Sequence, residues 1–183
     1  MREQDYVYTN SGKRIDITHF KGWDADLRDI LFGINSIFRY NGQSSITVLR
    51  HSVGVASFFR GRETAFRYAL LHDAAEAYMM DVPTAHKRFL TPAWSLTYDN
   101  IESAILNKFK AVPTEPERQE VHNIDKAVVA YEMDCRLGLN GFPRTLEIDP
   151  RVKDYSDMDA RYLWRVQDDV LPYIVANYLG ENI

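Results

Sequence analysis

Residues 63–83 read ETAFRYALLHDAAEAYMMDVP. Alanine and leucine dominate the stretch and long polar side chains are scarce in its middle, which predicts a central bundle helix from Glu63 to about Met80. Past Leu71, three polar residues interrupt the expected helix: His72, Asp73 and Glu76. The middle of a helix has no free backbone donors for a carboxylate, so Asp73 needs a partner from elsewhere. Adjacent helical residues point about 100° apart, so His72 and Asp73 can both reach one ion on the helix flank. Glu76 overhangs the same point from the next turn.

Upstream, Leu27, Ile30, Leu31, Ile34, Ile37 and Phe38 recur at intervals of three and four after Asp24, predicting an amphipathic helix that ends near Arg39. Ser44 and Ser45 can cap a second helix through Val48, His51, Val55 and Phe58, stopped by Gly61. Before these, residues 6–17 alternate around Asn10-Ser11-Gly12-Lys13 and read as a small hairpin. Downstream, Pro83, Pro92, Pro113 and Pro116 punctuate two helical patterns at about 95–110 and 117–138. A final amphipathic run over about 159–179 closes the chain, with Pro172 inside it. The expected architecture is all-α, a compact helical bundle with a small N-terminal β-hairpin. It is expected to form one domain over 1–183, with core helices at about 25–140.

The 183 residues include 45% hydrophobic positions, enough to bury a single core. With 22 Lys+Arg against 26 Asp+Glu there is no basic excess for holding nucleic acid by its phosphates. Cys135 is the single cysteine, which excludes an intrachain disulfide framework or a cysteine-rich zinc site. No stretch approaches the roughly 20 apolar residues of a membrane span. The expectation is a cytoplasmic protein, with no membrane and no stable nucleic-acid complex.

Two further polar residues fall on faces that the spacing buries. His51 lies in line with Val48, Val55 and Phe58, and Asp125 lies among Val121, Val128 and Val129 within VHNIDKAVVAYE. An unpartnered buried charge costs several kcal/mol or more. Arg118 and Lys126 are sequence neighbours of Asp125, but Lys126 is on another helical face and Arg118 is two turns away. Two imidazoles and two carboxylates, His51, His72, Asp73 and Asp125, form a mixed nitrogen and oxygen set suited to zinc, manganese, cobalt or iron. Such an open site acidifies water and polarises a phosphoryl group, which points to hydrolysis.

The ordered set His51, His72-Asp73 and Asp125 on three expected helices resembles the HD-domain metal-dependent phosphohydrolase superfamily. More closely, the chain is similar to the small bacterial and phage HD proteins that act on deoxynucleotides, the 5′-deoxynucleotidases and the phage dATP triphosphohydrolases. The similarity runs through SGKRIDI (11–17), IFRYNG (37–42), RHSVGVA (50–56), the block from His72 to Lys87, and the Asp125 helix. It implies that Glu76 and Asp81 shape the attack of water on phosphorus. It also implies that Arg39 and Lys87 contact phosphates, with Tyr40 a sugar or base contact. Arginine offers a planar fork for phosphate oxygens and lysine a mobile point charge.

The activity implied is hydrolysis of deoxynucleotides, first as a dATP triphosphohydrolase that releases triphosphate by water attack at the α-phosphorus. A 5′-deoxynucleotidase acting on dNMPs is the alternative, and a non-catalytic nucleotide-binding module is a third reading. A second ion such as magnesium would be held chiefly by substrate phosphates and by Asp73 or Glu76. Relatives in this group are homo-oligomers, and the aromatic tail around Tyr162, Trp164 and Tyr173 is a candidate interface.

Overall fold

A computed structural model of the chain describes residues 6–136, with side chains to residue 133. The expected C-terminal helix and the aromatic tail lie outside the described residues. Two short strands, β1 (Tyr6–Tyr8) and β2 (Arg14–Asp16), pair antiparallel with Val7 opposite Ile15. Gly12 turns the connection at φ +81°, where a side chain would be strained. Among the described residues every regular element after the hairpin is helical, so the chain is mostly α with a small hairpin, as its patterning implies. No helix among the described residues is long and apolar enough to cross a membrane.

Internal packing divides the chain into two compact units, one of residues Met1–Leu49 and Leu71–Val112, the other of Arg50–Leu70 and Pro113–Ile183. The first holds the hairpin, a 3-10 turn at Ile17–His19 and α1 (Leu27–Ser36). It also holds α4 (Glu76–Met79), α5 (Thr84–Lys87) and α6 (Pro92–Lys108). Asp26, rather than Asp24, caps α1 by accepting from the Arg28 amide at 3.0 Å. Asp24 instead closes the preceding turn onto the Lys21 amide. Buried Asp29 accepts from both the amide and the hydroxyl of Ser11, at 2.8 and 2.7 Å, and ties the hairpin loop to α1. The opposite face of α1, through Leu27, Ile30 and Ile34, is fully covered.

α1 and α4 approach closely at Gly33. A Cβ there would lie 2.8 Å from the Cβ of Ala77, so glycine is what allows the contact. α6 begins at Pro92, three residues before the sequence pattern becomes periodic, because Thr91 caps it and proline suits the first turn.

The described part of the second unit consists of the 50–57 segment of α2 (Val48–Ser57), most of α3 (Glu63–Leu71), and α7 (Glu115–Arg136). α7 opens on a reciprocal capping box. The Thr114 amide donates to Glu117 Oε2 at 2.9 Å, and the Glu117 amide returns a longer bond of 3.4 Å to the Thr114 hydroxyl. That cap carries the helix start to Glu115, ahead of the expected residue 117, and places Pro116 harmlessly in the first turn. Phe59, Phe66, Leu70, Val121, Ile124 and Val128 form the apolar interior of this unit.

Candidate functional site

The helix expected to run unbroken from Glu63 to Met80 is interrupted at residues 72–75, where the chain makes a tight turn. There the Ala74 amide donates to the Leu71 carbonyl at 2.9 Å, and the Glu76 amide donates to Asp73 at 3.0 Å. These are three-residue steps, the geometry of a 3-10 turn, in which side chains three apart eclipse. Asp73 and Glu76 are such a pair. Alanine and leucine spacing does not separate an α from a 3-10 turn over four residues, so the break was hidden in the sequence. Its consequence is that the His-Asp dipeptide sits in a tightened turn instead of on a regular helix flank.

Within the first unit the turn gathers a charged cluster. Asp73 Oδ2 lies 3.2 Å from His72 Nε2 and 3.5 Å from a terminal nitrogen of Arg39. Glu76 is buried at 5% exposure, and its Oε2 has no hydrogen-bond partner among the described residues. Burial, and after it the charges of Asp73 and Asp81, push the Glu76 carboxyl up to about 9, against the opposing pull of Arg39 and His72. Asp81 therefore stands within electrostatic reach of Glu76. It follows Met80, whose φ of +69° and ψ of 156° lie in a region that is essentially glycine's own.

Arg39 and Tyr40 sit beyond α1, on an excursion closed by a bridge between Phe38 and Thr47 and by the Arg39 amide donating to Ile46 at 2.9 Å. Tyr40, Asn41 and Gly42 all have positive φ, at 59°, 56° and 75°. A tyrosine in that region is strained, and such strain concentrates at functional loops. The Arg39 guanidinium lies 5.5 Å from the Tyr40 ring centroid. Lys87 is not drawn into the cluster. It ends the short α5, is exposed, and its ammonium makes no ion pair among the described residues.

In the second unit His51 is buried at 1% exposure and held at both ring nitrogens. Its Nε2 lies 2.9 Å from Asp125 Oδ1 and its Nδ1 lies 3.0 Å from Glu132 Oε1. Asp125 thus finds its partner in His51. Arg118, the sequence neighbour, instead donates to the Tyr68 hydroxyl at 3.2 Å. A neutral imidazole that donates from Nδ1 has only a lone pair at Nε2. That lone pair and the Asp125 oxygen would repel unless a proton or a cation lies between them. His122, near Asp125 in sequence, is exposed on α7.

Sequence reasoning missed two residues. Glu132 had a readable signal, since it follows Asp125 by two helical turns and returns to the same face. Tyr98 had none. It stacks with Trp94 on α6 at 5.2 Å between ring centroids, and burial, followed by the charges of Asp73 and Glu76, pushes its phenol up.

The described residues form a mostly helical protein in which the polar side chains of Glu76, in the first unit, and of His51 and Glu132, in the second, are buried. No family model matches the chain. A relative from Escherichia coli strain K12, the uncharacterized protein YfdR, is 33% identical over 110 residues. The match covers 59% of this chain and 60% of that protein, so the chain spans about three fifths of the length of the relative it matches.

Proposed function

We propose that the protein is a metal-dependent phosphohydrolase acting on deoxynucleotides. The observation that carries the reading is Glu76: a buried carboxyl with a bare oxygen, beside His72-Asp73, at a cost in stability that the fold does not require. A second support is the donor set. His51 pairs with Asp125 within the second unit and His72 with Asp73 within the first, each an imidazole and carboxylate pair of the chemistry that holds a metal ion. Mixed imidazole and carboxylate donors suit zinc, manganese, cobalt or iron.

A bound divalent cation supplies charge neutralisation at the phosphoryl group and acidifies a water molecule. The chain's own residues do the rest. Glu76, with Asp81 behind it, accepts a hydrogen bond from the attacking water and aligns it on the α-phosphorus. Arg39 offers its fork to the phosphate oxygens as charge develops on them. Tyr40, on the strained excursion, contacts the sugar or base. In this reading dATP is the first substrate to test, with triphosphate as the product, and the enzyme works as a homo-oligomer in the cytoplasm.

One observation favours a second reading, a 5′-deoxynucleotidase acting on dNMPs. A triphosphate needs cations beyond the α-phosphate, whereas Lys87 and Arg88 are both exposed on or next to α5. One experiment separates the two. The purified chain is incubated with zinc, manganese or cobalt and a panel of dNTPs, NTPs and dNMPs, and the products are resolved. Triphosphate supports the first reading and orthophosphate from dNMPs the second. No hydrolysis by the metal-loaded protein would overturn both.

A further inference from the structure

Glu132 is a buried carboxylate that neither the proposed ligand set nor the water-aligning pair uses. It lies on α7 two turns beyond Asp125, and its Oε1 is 3.0 Å from His51 Nδ1. Asp125 Oδ1 is 2.9 Å from the other nitrogen of the same ring. An imidazole buried only to hold two helices together would be satisfied by one carboxylate, and well-packed apolar side chains would hold them as well. Carboxylates at both nitrogens leave two arrangements: a ring protonated on both sides, or a neutral ring with its proton toward Glu132 and a cation between Nε2 and Asp125.

With a cation beside Asp125, the acceptor at Nδ1 keeps the proton of the neutral imidazole there and the lone pair is left on Nε2. The same hydrogen bond fixes the ring plane and makes the ring a stronger donor to a metal. We propose that Glu132 is a positioning residue that, through Nδ1, aims the His51 Nε2 lone pair at a divalent cation beside Asp125. The inference rests on the metal-dependent reading above. It assigns Glu132 no contact with the ion or the substrate.

The test uses the full chain stripped with a chelator and titrated with zinc by calorimetry, in wild type, Glu132→Ala and Glu132→Gln. Loss of the carboxylate weakens zinc affinity about 10- to 100-fold, while glutamine, whose side-chain oxygen still accepts from Nδ1, restores most of it. Turnover lost by Glu132→Ala at limiting zinc returns when zinc is raised, because the ligands and water-aligning groups are intact. A readout on wild-type protein guards against a variant that fails to fold. Nitrogen-15 histidine NMR of the zinc-loaded chain, with the His51 signal assigned by a His51→Gln variant, reports a protonated Nδ1 and a metal-bound Nε2. Metal on Nδ1, or unchanged affinity in a folded Glu132→Ala protein, overturns the role of Glu132 alone. Wild-type protein that takes up no ion overturns the metal reading, and this inference with it.

Discussion

The amide of Glu76 donates to the carbonyl of Asp73 at 3.0 Å, and this one tightened step stacks two carboxylate-bearing residues on the same side of the chain. Burial is the larger cause of the raised Glu76 carboxyl, and the Asp73 charge placed beside it by this step adds to the resistance to ionising.

Its pH signature has a definite sign. The Glu76 carboxyl ionises near 4.5 in the unfolded chain and near 9 in the folded, metal-free protein. The folded state therefore holds the extra proton between those values, and stability falls as pH rises from about 4.5 to about 9. Glu76→Gln removes this slope. In chelator-treated protein it should gain on the order of a few kcal/mol over wild type at pH 8 and almost nothing at pH 4. Urea melts at the two pH values measure this, and parallel behaviour of the two proteins would contradict the assignment. The same variant should lose hydrolytic activity.

Gly33→Ala tests the contact that seats α4. The added methyl would meet the Ala77 Cβ at 2.8 Å, and overpacking of this kind destabilises by about 1–3 kcal/mol, more than alanine's helix preference returns. Thermal unfolding should show the loss, and pairing the change with Ala77→Gly should recover part of it. Turnover should fall in the single variant, because α4 starts at Glu76.

Met80→Gly is expected to act in the opposite direction. Met80 is exposed and held at φ +69°, so relieving the strain should stabilise the protein by about 1 kcal/mol, less glycine's extra chain entropy. A higher urea midpoint with unchanged slope would bear this out. Accompanying loss of turnover would indicate that the strain serves to place Asp81.

Arg39 separates charge from shape. Arg39→Ala should reduce kcat/KM about 10²-fold, and Arg39→Lys should restore little, since lysine keeps the charge and loses the fork. In the metal-free protein, removing Arg39 should also move Glu76 further up, because Arg39 is one of the two groups that hold it down. Titration followed by NMR of the Glu76 side chain would read that shift.

The local elements were legible because each rests on short-range chemistry. The hairpin follows from Gly12 between alternating residues, α1 from the spacing of Leu27, Ile30, Leu31 and Ile34, and α7 from its valine stripe. His51, Asp73, Glu76 and Asp125 stood out because they are polar groups among apolar neighbours. What stayed hidden was also local in origin. Asp24 and Asp26 both precede the helix, and only the backbone amides they reach tell them apart. An alanine-rich run conceals a 3-10 turn because alanine suits both turns.

By itself, the amino-acid order determined which faces must be buried and which polar groups would be trapped on them, since that depends only on side-chain type and helical period. Only the tertiary structure decided who answers whom: Asp125 and Glu132 for the two nitrogens of His51, Arg39 for Asp73, and a bare oxygen for Glu76. Partners of this kind lie far apart along the chain, 81 residues in the case of His51 and Glu132, and packing alone brings them within hydrogen-bond reach.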